Sequence, residues 1–165
     1  RSENKITKVK DLVTIIKKSK NKNYSSKINP CTKTFQALRI FVNKEITELI
    51  NGIINATKTL KPGGKILFIS FHSIEDKIVK YFFSNFSTNK SKPSRYVPEK
   101  DDSKTALFEE YKNKILKPSK KEILQNNRSR SAKLRYAIRS KNEFFYPNEL
   151  KNKFKIYLDL ESINV

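Results

Sequence analysis

Gly63-Gly64-Lys65-Ile66-Leu67-Phe68-Ile69-Ser70-Phe71-His72-Ser73-Ile74-Glu75-Asp76-Lys77 decides the fold. Lys65 to Phe71 is a near-continuous apolar run of strand length, the pattern of a strand buried on both faces in a parallel sheet. Ser73-Ile74-Glu75-Asp76 follows at once in the capping-box form, with Ser as cap and an acid three residues on. The spacing predicts a strand that runs straight into a helix, with Ile74, Ile78, Val79, Phe82 and Phe83 inward and an end near Phe86. The junction holds Ser70, the single histidine His72, and Ser73. Open α/β sheets bind their ligands outside the carboxyl ends of strands, so chemistry is expected at this junction.

Upstream, Ile6 to Ser19 reads as a short helix with Thr7 as cap and Val9, Leu12, Ile15 and Ile16 at helical spacing. Lys20 to Asn29 is a polar linker. After Pro30 one long helix is expected. Phe35, Leu38, Ile46, Leu49, Ile53 and Ile54 keep a 3.6-residue period over about seven turns, and Lys61-Pro62-Gly63-Gly64 stops it. Downstream, Ser87 to Lys104 is polar, carries Pro93 and Pro98, and is expected to add nothing to a core. Ala106 to Tyr111 suggests a helical turn, and Lys112 to Leu116 a strand closed by Pro118. Ser119-Lys120-Lys121-Glu122 is a second capping pattern before a short helix. Asn126 to Ser131 reads as an exposed loop. Ala132 to Arg139 alternates as a strand, with Leu134, Tyr136 and Ile138 on one face. From Ser140 the chain is amphipathic, with Phe144, Phe145, Leu150, Phe154, Tyr157 and Leu160 available to dock on the body.

The 165 residues suit one ordinary domain. The absence of methionine, the polar opening at Arg1 and the presence of only three glycines lead us to expect a segment of a longer chain. Lys plus Arg number 36 against 16 acids, a formal net charge of +20. Such a surplus favours a polyanion, nucleic acid first; the competing reading is solvated surface from a lysine-, asparagine- and isoleucine-rich composition. Arg128, Arg130, Arg135 and Arg139 cluster in a way that lysine enrichment does not explain. One Cys (Cys31) and one His exclude an internal disulfide and disfavour a zinc site, so no metal is expected. A reducing, cytoplasmic setting follows. No apolar run approaches the roughly 20 residues that span a bilayer, so no membrane is expected.

Four blocks in order carry a resemblance. They are Thr34-Phe35-Gln36-Ala37-Leu38-Arg39-Ile40, Pro62-Gly63-Gly64, Ile69-Ser70-Phe71-His72-Ser73-Ile74-Glu75-Asp76, and Asn126-x-Arg128-x-Arg130-Ser131-Ala132-Lys133-Leu134-Arg135. Over Arg1 to Arg139 the chain resembles the RsmH/MraW family of bacterial 16S rRNA cytosine-N4 methyltransferases. The departures are Asn29-Pro30-Cys31-Thr32-Lys33, where the family usually has His-Pro-Ala-Thr-Arg, and Asn127 and Ser129, where it has Pro and Ala. The resemblance implies an α/β fold, the second half of a class I S-adenosylmethionine-dependent methyltransferase sheet that ends in an antiparallel hairpin. Residues 1–28 would end an inserted helical substrate-binding domain, 29–139 would be the carboxyl-terminal half of the methyltransferase domain, and 140–165 a carboxyl-terminal extension. It also implies S-adenosyl-L-methionine as cofactor, bound mainly by residues upstream of Arg1, with no cofactor-binding residue in this chain. The implied partner is 16S rRNA in the decoding region of the small ribosomal subunit. Taken alone, this chain is expected neither to bind cofactor well nor to turn over, and its half-sheet is expected to expose an apolar edge and face.

The implied chemistry asks for positioning. A cytosine exocyclic amine is a poor nucleophile because its lone pair is delocalised into the ring. It must be held in line with the methyl donor while a proton is accepted, and the base must be unstacked to be reached. His72 and Ser70 are the catalytic candidates. Phe71, Ser73, Asn126, Arg128, Arg130, Gln36 and Arg39 are the RNA-binding candidates. Each has a plainer reading. His72 could fix the strand–helix turn; Ser73 could be a helix cap and Asp76 its capping-box acid. Ser70 and Phe71 could be packing residues, although Phe71 also suits base stacking. Arg128 and Arg130 could pair with Glu75 or Asp76 rather than phosphate, Asn126 could merely shape its loop, and Phe35, Leu38 and Ile40 read as core. In the class I topology the final strand runs antiparallel beside Lys65–Phe71, so Ser70–Ser73 and Asn126–Ser131 should face each other across one mouth. The rival functions are a non-enzymatic basic RNA-binding module and an interaction domain whose charge is compositional.

Overall fold

A computed structural model gives the structure and describes residues 6–19, 29–89 and 106–163. The chain divides into two units, Arg1–Glu45 and Ile46–Val165.

The first unit contains α1 (Val9–Ser19) and α2 (Thr32–Asn43). The Lys8 carbonyl accepts the Asp11 and Leu12 amides, so Lys8, not Thr7, stands at the start of α1. The single long helix expected after Pro30 is broken. Lys44 adopts φ 51°, its amide donates back to the Ile40 and Phe41 carbonyls, and a new helix, α3 (Glu45–Thr59), begins at the next residue. Apolar spacing passes through the break undisturbed and so does not reveal it. The Arg39 guanidinium bridges the break to Glu45 at 2.8 and 3.1 Å. Leu38, expected in the core, is 42% exposed.

The second unit is built on an antiparallel pair, β1 (Lys65–Ser70) and β2 (Lys133–Ile138), in the register Lys65↔Ile138 to Ser70↔Lys133. The ladder continues into the Gly63-Gly64 turn, where the Gly63 amide donates to the Arg139 carbonyl and the Arg139 amide to the Gly64 carbonyl. Gly63 needs its φ of 77°, and at Gly64 a Cβ would lie 2.7 Å from a Leu60 methyl. α4 (Ser73–Asn85) packs on both strands. It buries Ile78, Val79, Phe82 and Phe83, and α3 buries Ile46, Ile50, Ile53, Ile54 and Thr57.

The expectation of a β1 buried on both faces fails. Ile66 and Ser70 are buried, whereas Leu67 and Ile69 are 58% and 59% exposed. Leu134, Tyr136 and Ile138 share one face of β2 as the alternation requires. They lie across from Ile69, Leu67 and Lys65, on the open side; Arg135 and Ala137 take the buried side.

Two further expectations are corrected. Ala106 to Tyr111 is not a helical turn: Phe108 bridges Ser87 on one side and Arg139 on the other. Leu107 and Phe108 are fully buried, and the Phe108 ring meets Phe82 and Phe83 edge-on at 5.3 and 5.2 Å. Ser87, expected in a surface loop, is buried in that bridge; residues 90–105 of the loop lie outside the described residues. Of the strand expected at Lys112–Leu116, one antiparallel bridge forms, Leu116 to Leu134. α5 (Lys120–Gln125) starts as expected at Ser119, whose hydroxyl accepts the Glu122 amide.

The tail folds onto the second unit as α6 (Asn148–Lys153) and α7 (Lys155–Glu161). Leu150 and Phe154 are buried, Phe154 lies edge-on to Tyr81 at 5.6 Å, and Leu160 stays exposed. The buried Glu161 carboxylate accepts the Ile46 and Thr47 amides and the Thr47 hydroxyl at 3.0, 2.8 and 2.7 Å. An anion supplied 114 residues later thus satisfies the amides at the start of α3.

Candidate functional site

The carboxyl end of β1 delivers Ser70, Phe71, His72 and Ser73 in turn, and the structure changes the role of each. The N-cap of α4 is His72, not Ser73. Its Nδ1 accepts the Glu75 amide at 3.3 Å, and the Glu75 carboxylate accepts the Phe71 and His72 amides at 2.8 and 3.2 Å. The capping box is therefore shifted one residue from the Ser73–Asp76 box predicted. An imidazole acceptor nitrogen substitutes for the hydroxyl, and no propensity rule would select it. The other ring nitrogen, Nε2, lies 3.3 Å from the second Glu75 oxygen. The His72 side chain is 7% exposed. Ser70 is buried and its hydroxyl lies 3.4 Å from the Lys133 carbonyl across the ladder. Phe71, whose plainer reading was core packing, is 55% exposed, and Ser73 opens the helix in an exposed position.

Freed from capping, Asp76 anchors β2. It takes Arg135 on both oxygens at 2.7 and 3.3 Å and Lys133 at 3.0 Å. Arg135 is buried and also donates to the Tyr111 hydroxyl and to Asn113 Oδ1 at 2.9 and 2.8 Å. Burial alone would raise the Asp76 pKa; hydrogen bonds from Arg135 and Lys133 and their charges outweigh it and hold the carboxyl below its ordinary value. Burial alone would lower Arg135, and Asp76 and Tyr111 reverse that and raise it. Burial raises Tyr111 despite the adjacent guanidinium.

The arginine cluster read from the sequence thus splits in two. Arg135 and Arg139 are internal. Arg139 donates to the Leu107, Ser140 and Asn142 carbonyls and to the Ser140 hydroxyl, and burial lowers its pKa. Arg128 and Arg130 are exposed, and among the described residues neither meets a carboxylate. The alternative pairing with Glu75 or Asp76 is not made, because those acids are engaged with His72, Arg135 and Lys133.

The loop carrying the exposed pair is a 3-10 turn, Asn127–Ser131, and not irregular chain. Asn126 shapes it: its side-chain oxygen accepts the Arg128 amide, and its carbonyl accepts both the amide and the hydroxyl of the buried Ser129. The Arg130 guanidinium returns to the Asn127 carbonyl at 3.1 Å. Ser70 pairs with Lys133, and the 3-10 turn ends at Ser131, two residues before that lysine. The Phe71–Ser73 corner and the Asn126–Ser131 turn therefore stand at the same end of the two-stranded ladder. Gln36 and Arg39 belong to the other unit, on α2, one turn apart; Arg39 is engaged with Glu45.

Sequence reasoning missed Asp76, Lys133 and Arg135 as a network, and it missed Glu161. One signal was present. With Leu134, Tyr136 and Ile138 on one face, Arg135 had to occupy the other, and a charge on the face that packs against a helix needs a partner there.

Among the described residues, the glycine pair does not form a S-adenosylmethionine site. The Gly63-Gly64 turn stands at the opposite end of β1 from the corner, and the space a Cβ would take at Gly64 is filled by Leu60. Among the described residues no helix is long and apolar enough to cross a membrane.

A protein of Agrobacterium fabrum (strain C58 / ATCC 33970), named ribosomal RNA small subunit methyltransferase H, is 41% identical over 140 residues, 85% of this chain and 40% of that protein. Proteins of the same name from Bartonella grahamii (strain as4aup) and Ehrlichia chaffeensis (strain ATCC CRL-10679 / Arkansas) are 47% and 46% identical over 117 and 121 residues. These alignments cover 71% and 73% of this chain and 35% and 37% of those proteins. The chain thus spans about 40% of the length of the curated relatives it matches. The profile of the family described as "MraW methylase family" matches residues 1–140, which include both the corner and the turn, and the chain belongs to that family.

Proposed function

We propose that this chain serves S-adenosylmethionine-dependent methylation of the exocyclic N4 amine of a cytosine in the decoding region of small-subunit rRNA, in the cytoplasm. The reading assigns residues 29–139 to the second half of a class I methyltransferase fold. It assigns 1–28 to the end of an inserted helical domain and 140–165 to an extension. The cofactor, which would supply the activated methyl group, is assigned to residues outside this chain. One observation carries the proposal: β1–β2 pairing sets the Phe71–Ser73 corner and the Arg128/Arg130 turn at one end of the ladder.

Each residue then has a task. Phe71 offers an exposed ring on which an unstacked base can rest, a contact worth about 1–3 kcal/mol. Arg128 and Arg130 hold the flanking phosphates. His72, fixed by Glu75, keeps the corner rigid and sets the edge against which the amine is aligned. Ser70 and Ser73 flank that edge, and Asn126 presets the arginine turn. Gln36 and Arg39 are assigned to RNA contact from the first unit.

The test is methyl transfer by the product of the complete reading frame to unmodified small-subunit rRNA. Arg128→Ala with Arg130→Ala should weaken RNA binding and lower its salt slope by about one to two units, since each phosphate contact contributes about 0.9. A slope equal to that of the parent protein refutes the phosphate assignment. Absence of transfer by the parent protein refutes the reaction.

A further inference from the structure

The positive charge of this chain is not spread evenly. Residues 45–86, the α3–β1–α4 body, carry five Lys/Arg against four Asp/Glu, and residues 141–161 carry four against four. Between them, residues 112–130 carry seven against one, Glu122. Two of the seven are Arg128 and Arg130. The other five are Lys112, Lys114, Lys117, Lys120 and Lys121. All five are exposed, and among the described residues none makes an ion pair or side-chain hydrogen bond.

The fold arranges these five into a track. Leu116 and Leu134 exchange both backbone hydrogen bonds, at 3.0 and 2.9 Å, in an antiparallel bridge. The segment through Leu116 therefore runs on the far side of β2 from β1 and in the direction of β1, towards the corner. Its entry is pinned: Asn113 takes φ 50° and its side chain accepts from buried Arg135. Its exit is also pinned, by the Ser119 cap of α5, after which the chain reaches the Arg128/Arg130 turn. The lysines thus lead along the outer edge of the pair to the arginines. Exposed Leu124, Leu116 and Ile115 lie among them, apolar surface against which a nucleobase or sugar can rest.

We propose that the ridge from Lys112 to Lys121 is a second RNA-binding surface. It would hold the backbone of the substrate RNA beyond the nucleotides gripped at the corner, and so set affinity and approach rather than the choice of base. This rests on the function proposed above. RNA is favoured over an acidic protein because the cations are strung along an edge that leads to an arginine turn. A compact cluster would suit a single carboxylate patch instead.

The experiment compares two charge-matched variants of the product of the complete reading frame. In one, Lys112, Lys114, Lys117, Lys120 and Lys121 become Gln. In the other, the exposed body lysines Lys58, Lys61, Lys65, Lys77 and Lys80 become Gln. Both lose the same net charge, and thermal melts check that both remain folded. Binding to an unmodified decoding-region rRNA transcript is measured across a salt series, with polyuridylate and polyglutamate as competitors. The ridge variant should lose about two to four units of salt slope at roughly 0.7–0.9 per phosphate contact. The body variant should lose less than about one. Polyuridylate should compete well and polyglutamate poorly. Equal losses in the two variants would reduce the ridge to general charge and overturn the proposal, and polyglutamate competing as well as polyuridylate would reassign it to acidic proteins. A parent protein that transfers no methyl group while the ridge variant still loses its slope would defeat the reaction and leave the ridge standing.

Discussion

Asp76 and His72 show how far one residue's role can lie from its motif. Asp76 read as a capping acid, and it holds two cations on the neighbouring strand instead. Asp76→Asn leaves the buried Arg135 guanidinium without its counter-ion and should cost about 3 kcal/mol at neutral pH. Because the folded-state pKa of Asp76 lies below its ordinary value, its stabilisation is complete above pH about 4. It is lost as pH falls through the lowered folded value. Thermal melts from pH 7 to pH 2 should show the gap between parent and Asn variant closing only at the acid end; a gap independent of pH contradicts the pairing. His72 separates fold from chemistry in the same way. Asn is a good cap, so His72→Asn should stay within about 0.5 kcal/mol of the parent, while His72→Ala should lose about 1 kcal/mol. If the imidazole serves only as a cap, the Asn variant keeps full methyl transfer. Transfer should instead fall at least tenfold in both, with RNA affinity retained. The sequence drew attention to this corner but did not reveal its wiring, since a capping box read from residue types cannot tell an imidazole nitrogen from a hydroxyl one residue later.

At the scale of elements, the strand, the helix after it and the final strand were legible because periodicity and caps are local. The break at Lys44, the buried bridge at Phe108 and the Glu161 contact of the tail were not, since each depends on a partner distant in sequence or on one backbone angle. Lys44→Gly should raise stability by about 0.5 kcal/mol, the relief of a left-handed non-glycine residue less the added freedom of the unfolded chain. Glu161 tests whether the tail is part of the fold. Glu161→Ala removes the acceptor for two amides and a hydroxyl at the start of α3 and should cost about 2–3 kcal/mol, with faster hydrogen exchange at Ile46 and Thr47. Unchanged exchange at those amides would show that the tail does not cap the helix. Residues 141–165 lie beyond the family match, so resemblance could say nothing of them; their amphipathic pattern marked Leu150 and Phe154 for docking, and both are buried, but it did not mark Glu161.

For the whole molecule, the open face of the sheet is the feature that sequence reading anticipated in kind and misplaced in detail. A continuous apolar run suggested burial on both sides, and the second unit leaves Leu67, Ile69 and Tyr136 exposed on one of them. Expressed alone, this chain should self-associate through that face, and Leu67→Thr with Ile69→Thr should reduce the association seen by sedimentation. The charge has the same lesson. Its total was visible in composition, but the division into internal arginines, a balanced body and an exposed basic edge required coordinates. The central claim is that the β1 corner and the arginine turn form one mouth for a base. Ultraviolet crosslinking of the complete reading frame's product to an rRNA transcript carrying a photoreactive cytosine at the methylated position, mapped by mass spectrometry, tests it directly. Crosslinks are expected at Phe71–Ser73 and within Asn126–Ser131; crosslinks confined to the other end of the ladder, around Pro62–Gly64 and Arg139–Asn142, would contradict a shared mouth.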